Sequence, residues 1–514
     1  MSDFFEKIIA SAIKFKNNIA IIVDKKSFTY WEIICQAFTL SRQFLKFQDK
    51  NRFCVVISDK TINFYVGMLA CFFSNSVYIP LNIQSGIEKS KKILETLDSY
   101  FIFLGDAKAD VLLNLLSQVK NKDILCLTMS HKNKLKLVFE ANNFCYIANR
   151  KKTRNKSCVD NNFYHCKIKK ENYAYMFFTS GSTGKPKAVP ISHKNLSTYV
   201  NDILHTFHIN AQDRFIQLSD IAFDISIHEI VLCLISGATL YVYNEEKELS
   251  VSQFIYKNKI THCILVPSIM PAIINQCHFY HCHLFSLRNT FFCGEPFPVS
   301  FAQLWQKEAK NTLIVNLYGP TEATVSCTYH IYQKENNYSG MMSLPIGKPF
   351  PHTQLAISNN GELIISGDQV SNGYWPSFTT DKFSYNSESD LTSYFTGDRV
   401  SYHDEYGYLF QGRFDDQWQV KGHRVEKHEV ESVLRTVLNC HDICVIPEYD
   451  QHHLIQSLVG FSTQKINISQ LKKKLLSHLS REAIPKKIVT VAFLPHLSNG
   501  KIDYQLLQEN YHAL

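Results

Sequence analysis

The chain has 514 residues, 45% hydrophobic and 19% charged, a globular balance that excludes a disordered chain and exceeds what one core ordinarily uses. Its formal net charge of +8 is thin over this length and excludes a strong nucleic-acid footprint. No long charge-free apolar run is present and the start, Met1 to Lys7, lacks a basic-then-apolar leader, so neither a membrane span nor a signal peptide is expected. The 15 cysteines are odd in number and scattered, which fits reduced thiols in a cytoplasm.

In chain order, short apolar runs at Val55 to Ser58, Phe101 to Leu104, Ile124 to Leu127, Tyr175 to Phe178, Ile264 to Val266 and Leu313 to Val315 read as buried strands. Helical patterns lie between several of them, as over Ile62 to Phe73. Strands alternating with helices imply an α/β fold with parallel sheets flanked by helices, and ligands at the carboxyl ends of the strands. Ala141 to Lys170, rich in Asn and Lys, reads as a solvated surface loop, because no aromatic pattern for stacking nucleic-acid bases accompanies its charges.

Phe177 to Lys187 places hydroxyls, glycines and lysines between a strand and a helix that starts near Ser192, the composition of a phosphate cradle. Gly184-Lys185 is followed by Pro186, which excludes a Walker A loop. Cys277, His278, His281, Cys282 and His283 are crowded, with no second pair at finger spacing, so a polar loop is expected there rather than zinc. Asn316-Leu317-Tyr318-Gly319-Pro320-Thr321-Glu322 follows a strand; its tyrosine could stack on a base, and its Thr-Glu pair offers hard oxygens suited to magnesium beside phosphate. From Gln354 to Phe410 short strands and Gly/Asn turns suggest a β-rich subdomain. Within it, Asp398 after a Gly397 turn could grip two ribose hydroxyls. After Gly412-Arg413-Phe414-Asp415 comes a compact tail that mixes helices (Lys427 to Val437, Ile468 to Leu479) with strands (Cys444 to Ile446, Val489 to Leu494).

In this order and spacing the three motifs resemble the AMP-forming adenylating family of acyl-CoA synthetases, luciferases and the amino-acid-activating domains of nonribosomal peptide synthetases. The likeness runs from Phe28-Thr29-Tyr30-Trp31-Glu32 to Ser498-Asn499-Gly500-Lys501-Ile502-Asp503. It implies a core at 1–414, with a large N-terminal domain of parallel and mixed sheets plus the β-rich part, and a small mobile α+β domain at 415–514. It also implies two half-reactions: ATP and a carboxylate give an acyl-adenylate and pyrophosphate, and a thiol then takes the acyl group. On the matching positions, Thr179, Ser180, Ser182 and Thr183 would hold the triphosphate. Asn316, Leu317, Tyr318, Gly319, Pro320 and Thr321 would frame the nucleotide, Asp398 its ribose, and Arg413 would reach it. Glu322 would hold Mg2+ beside Thr321, Lys501 would bridge the carboxylate and the α-phosphate, and Asp415 would be the hinge.

Phe223 to Ile230 resembles the amino-acid-activating branch, where the first acid, Asp224, pairs with the substrate ammonium; a helix N-cap is the alternative role. Cys293-Gly294-Glu295 and Tyr318 to Val325 are most similar to ligases that load D-alanine onto a separate carrier protein. The resemblance puts Ile225, His228, Ile264, Phe291, Cys293, Leu317, Val325 and Ser326 on the substrate wall, suited to a small or medium apolar amino acid. His228 is the misfit, either a satisfied core histidine or a contact to a polar side chain. Ala188, Asn82 and Gln419 depart from the family pattern; Gln419 stands where a lysine of the thiol-step segment is usual. The expectation is a monomeric amino acid–carrier protein ligase. A peptide-synthetase-type enzyme for another amino acid, an acyl-CoA synthetase and a nucleotide-binding scaffold are the alternatives.

Overall fold

A computed structural model describes residues 4–45, 53–82, 87–97, 100–105, 115, 125–128, 145–148, 169–179, 186–245, 247–248, 250–378, 380–440, 442–496 and 502–512. Two large sheets, mainly parallel, form its centre. One runs Cys145–Ala148, Leu125–Thr128, Tyr100–Leu104, Phe53–Ile57, Val77–Pro80, Tyr173–Thr179, Lys187–Ser192, with only the last strand antiparallel. The other has a parallel centre, from Ile19–Val23 through Thr239–Val242, Arg214–Gln217, His262–Leu265 and Asn289–Phe292 to Leu313–Tyr318, closed by antiparallel strands at both edges. Phe53–Ile57, Val77–Pro80 and Tyr100–Leu104 are buried at every position, which is why they read as unbroken apolar runs rather than alternating ones.

The helices start where their sequence says they should. Thr29 with Glu32, and Ser192 with Asn195, form reciprocal caps at the starts of Tyr30–Phe44 and His193–Thr206, so two otherwise orphaned donors are satisfied at each end. Ile225–Ser236 is apolar on nearly all sides because it is buried on nearly all sides, packed on Phe4–Lys14 and on the strands Arg214–Gln217 and Thr239–Val242. Its start lies at the carboxyl ends of these parallel strands, where the site residues gather.

An antiparallel sheet, Thr353–Ile357, Glu362–Gly367, Leu391–His403 and Phe383–Asn386 with Gly407–Arg413 alongside, follows the second large sheet. A last sheet carries the strands Gln417–Val420, His423–Glu426, Ile443–Tyr449, Ile455–Ser462 and Lys487–Thr490. The helices Lys427–Leu438 and Ile468–Leu476 pack on it around a core of its own that includes Val430, Leu434, Val445, Leu458 and Leu475.

Three expectations change. Ala141 to Lys170 contains the strand Cys145–Ala148, paired in parallel on Leu125–Thr128, so it is not loop throughout; the Asn/Lys background masks a four-residue apolar run. The Cys277–His283 stretch is not a polar loop either. Helix Met270–Tyr280 carries Cys277 into the core, Cys282 is also buried, and His278 Nε2 lies 2.9 Å from Glu308. Gly397-Asp398 is no turn between short strands, but an irregularity inside the 13-residue strand Leu391–His403. Gly397 has φ +77° there and the pairing shifts register between Asp398 and Val400. Such a bulge re-aims one side chain without ending the strand. Among the described residues, no helix is long and apolar enough to cross a membrane.

Candidate active site

A cavity of about 580 Å³ lies where the strands of both large sheets end. Pro80 to Asn82 and Phe177 to Thr179 come from the first sheet. Cys293 to Pro296 and Asn316 to Thr321 come from the second, Asp224 and Ile225 from a helix start, and Asp398 and Arg413 from the antiparallel sheet. Gln419, Gly422, His423 and Arg424 enter from the last sheet. Thr179 is the last residue of its strand, and its buried Oγ1 has no partner among the described residues. Ser180, Ser182, Thr183 and Lys501 lie outside the described residues.

The Asn316–Thr321 segment starts inside the strand Leu313–Tyr318 rather than after it. Asn316 Nδ2 donates to the Pro345 carbonyl (2.8 Å), which fixes the strand end. A Cβ on Gly319 would lie 2.5 Å from Ser326 Cα, so only glycine lets the chain fold back here. Thr324 and Val325 follow with φ of +57° and +66°, a left-handed pair that β-branched residues rarely adopt. Gln369 holds the pair: its carbonyl accepts from Thr324 Oγ1 (2.6 Å), and its Nε2 donates to the Ser326 carbonyl (2.8 Å). Backbone strain held from outside in this way clusters at functional sites.

Tyr318 Oη and Arg413 Nη1 both donate to the buried Asp398 carboxylate. Burial pushes Asp398 upward and Arg413 opposes it, leaving a net rise. Arg413 also grips Asp415 through Nε (2.6 Å) and Nη2 (2.8 Å), a bidentate pair. For Asp415 burial works against ionisation, but Arg413 outweighs it and holds the carboxyl below its ordinary value.

Asp224 sits at the N-cap of Ile225–Ser236 but does not act as one: its backbone is helical and its side chain caps nothing. Its Oδ2 is enclosed without a hydrogen-bond partner among the described residues, and burial pushes the carboxyl up to about 6. Ile225, Cys293, Leu317 and Val325 surround it along the cavity, and burial pushes the Cys293 thiol up to about 12, so that thiol is a packing group and no nucleophile.

Of the expected wall, His228, Ile264, Phe291 and Ser326 do not line the cavity; they form the layer behind it. His228 is fully buried. Its Nδ1 is 2.6 Å from Tyr199 Oη, and its ring stacks on His262 (5.8 Å) and meets the Phe291 edge (5.2 Å). Burial lowers it to about 3, so it stays neutral. Three positions past Ile225 it shares roughly the same helix face but sits about 4.5 Å further along the axis, deeper than the cavity wall. His228→Leu is expected to cost about 1–3 kcal/mol by stranding the Tyr199 hydroxyl, read from a denaturant midpoint, with amino-acid KM within about threefold of the parent. A changed amino-acid preference would put the imidazole at the substrate instead.

Glu322 is fully buried in the short turn Thr321–Ala323. Tyr374 Oη donates to its Oε1 (2.7 Å), and Arg424 Nη1 lies 3.1 Å from both oxygens. Burial alone would raise this carboxyl; Arg424 and Tyr374 outweigh it and hold it below its usual value. Arg424 and Tyr374 have no role assigned from sequence, although Tyr374 stands in the stretch Asn372-Gly373-Tyr374-Trp375 that shares the family resemblance. The signal for Arg424 is a two-residue tip, Lys421-Gly422, between two short strands just past the Asp415 segment.

The family model described as AMP-binding enzyme matches residues 9–375. The chain belongs to the AMP-binding enzyme family. Its class is that of the AMP-forming ligases, which use ATP. It is 26% identical to a D-alanine–D-alanyl carrier protein ligase of Staphylococcus aureus (strain MRSA252), covering 99% of each chain. It is 27% identical to gramicidin S synthase 1 of Brevibacillus brevis over 96% of this chain, but spans only 43% of that longer protein. The crystal structure of the Vibrio cholerae adenylation domain AlmE in complex with glycyl-adenosine-5'-phosphate superposes with a TM-score of 0.86, at 27% identity over 99% of this chain and 98% of that one. As an AMP-binding enzyme the chain keeps Thr179 and its Asp398–Arg413–Tyr318 cluster on one cavity with Asp224.

Proposed function

We propose that this enzyme activates a small amino acid, of glycine or alanine size, as its aminoacyl-adenylate and passes it to the phosphopantetheine thiol of a separate carrier protein. One observation carries the substrate class: Asp224, whose buried Oδ2 has no hydrogen-bond partner among the described residues, lines a cavity whose apolar wall is closed from behind by Phe291, His228 and His262. A buried carboxylate with a free acceptor calls for a cation, and the α-ammonium of an amino acid is one. The closed wall leaves little depth for a side chain. Ligases named for D-alanine and an adenylation domain bound to glycyl-adenylate are both similar to this chain over nearly its full length.

In the first half-reaction a carboxylate oxygen attacks the α-phosphorus, the bond to the β-phosphate bridging oxygen breaks, and pyrophosphate leaves with that electron pair. Thr179 and the hydroxyls of Ser180, Ser182 and Thr183 hold the departing phosphates. Tyr318 and Asp398 hold the nucleoside, and Arg413 opposes the effect of burial on Asp398. Lys501 joins the two reacting anions. Mg2+ would be held by Glu322 beside Thr321 and would supply charge neutralisation on the phosphates; a buried carboxylate next to the phosphate-side threonine fits a hard cation. In the second half-reaction the carrier's sulfur attacks the acyl carbon, the thiol proton is lost, and AMP leaves. The cavity continues from Asp224 to Lys89 and Ile93 on one side and Leu476 to Glu482 on the other, which gives a thioester arm a path. Asp415 is the hinge on which residues 415–514 turn between the two steps.

Pyrophosphate exchange across glycine, D- and L-alanine and larger amino acids tests the reading. Exchange is expected with one or more of the three small substrates. Exchange with leucine- or lysine-sized amino acids alone would refute the size assignment, and none with any amino acid would refute the class.

A further inference from the structure

Arg424 supplies the cation that meets Glu322. Arg424 Nη1 straddles the carboxylate at 3.1 Å from each oxygen, and Tyr374 takes a further position on Oε1. Glu322 has no exposure and, unlike Thr321 beside it, takes no part in the cavity wall. Arg424 comes from a different sheet, on the hairpin Gln417–Val420 and His423–Glu426. That hairpin is seated firmly. Gly422 N–H donates to Glu295 Oε1 (2.6 Å), and His423 lies edge-on to Phe223 at 4.8 Å and 3.5 Å from Glu482. At the tip, Gly422 has φ +79°, and a Cβ there would lie 2.6 Å from Val266, so glycine alone permits this approach.

We propose that Arg424 is a positioning residue that takes the place of Mg2+ on Glu322, so that the metal and the inserted 417–426 hairpin exclude one another. The proposal rests on the reading of Glu322 as the metal ligand. A small divalent cation needs hard oxygens at close range and keeps several of its waters. The guanidinium occupies the face where such an ion would sit, and adds like charge beside it. The exchange has a purpose. A fully buried carboxylate left without a cation is costly, so metal loss from Glu322 is cheap only if another cation arrives. Arg424 is brought by the same hairpin that closes the cavity, so departure of the metal with pyrophosphate and arrival of the hairpin become one event. The order of the two half-reactions then follows from competition for a single carboxylate.

The test uses the full chain, with Mn2+ and the α,β-methylene analogue of ATP, which cannot lose pyrophosphate. In the parent protein the 417–426 amides, Gly422 above all, are expected to exchange hydrogen slowly without ligand and about tenfold faster with Mn2+ and analogue together, but not with analogue and chelator. Arg424→Gln removes the competitor, so these amides exchange fast in every state, and free-Mn2+ measurement by electron paramagnetic resonance shows binding about threefold or more tighter than in the parent. Arg424→Lys, which keeps the cation, retains metal-sensitive protection. Metal-indifferent exchange in the parent, or Mn2+ binding unchanged or weaker in Arg424→Gln, overturns the proposal. Glu322→Gln separates the two layers: lost Mn2+ binding keeps the metal reading whatever Arg424 does, and unchanged binding sinks both.

Discussion

Replacing Asp224 by asparagine raises the KM for the amino acid by about two orders of magnitude and leaves the KM for ATP within about threefold, because the variant removes a charge-assisted bond to the ammonium and nothing on the nucleotide side. Steady-state kinetics with each substrate varied in turn check this. The parent also carries a pH signature. Burial holds Asp224 up at about 6 in the empty enzyme, and only its ionised form pairs with an ammonium. As pH falls through 6, kcat/KM for the amino acid therefore drops about tenfold per unit; above 6 it is flat while the substrate amine stays protonated. The acid limb disappears in Asp224→Asn. His228 contributes nothing to the profile, since burial keeps it neutral throughout this range. An unchanged limb in the variant would assign the titration elsewhere and remove the argument for an amino-acid substrate.

Much of the fold is legible because buried parallel strands are apolar at every position and their partners are helices with caps. Tyr173–Thr179 and Leu313–Tyr318 illustrate this, and both are followed in sequence by stretches whose Gly, Pro and hydroxyl content is itself a signal. Cys145–Ala148 was hidden because four apolar residues in an Asn/Lys-rich background do not outweigh composition. Gly397-Asp398 reads as a turn because glycine marks both turns and bulges; only the pairing of Leu391–His403 with its neighbours tells them apart.

The site divides along the same line. Residues that come from one loop, such as Tyr318 to Thr321, declare themselves as motifs. Residues whose meaning depends on what lies opposite do not. His228 stands in the right stretch of sequence, yet its side chain meets Tyr199, His262 and Phe291 rather than the cavity, because it lies deeper along the helix than Ile225. Arg424 and Glu322 are 102 positions apart, and no local pattern brings the two together. Tyr374, 52 positions from Glu322, is silent in the same way. Even Asp224 gains its force from an absence that sequence cannot display, a buried oxygen without a partner.

The second large effect separates the two ends of the reaction. Lys501→Ala lowers pyrophosphate exchange about 10³-fold, the scale on which removal of one preorganised charge at a reacting centre is felt, with ATP binding within about threefold of the parent. Its neighbours set the stage: His496 and Ile502 pair as antiparallel partners, Asp503 N–H donates to the Pro495 carbonyl (2.9 Å), and Ile502 packs on the small core with Cys444 and Phe461. The alanine variant changes none of these residues. Supplied with preformed aminoacyl-adenylate and carrier, it still forms thioester at a rate within about threefold of the parent, since a cation needed only when carboxylate meets α-phosphate has no task after the adenylate exists. Variants of the 417–426 hairpin show the reverse pattern, with exchange kept and transfer impaired. The two half-reactions are measured separately, by isotope exchange and by mass of the loaded carrier. Equal losses in both steps for Lys501→Ala would mean that one face of the 415–514 segment serves both, and would count against the proposed hinge at Asp415.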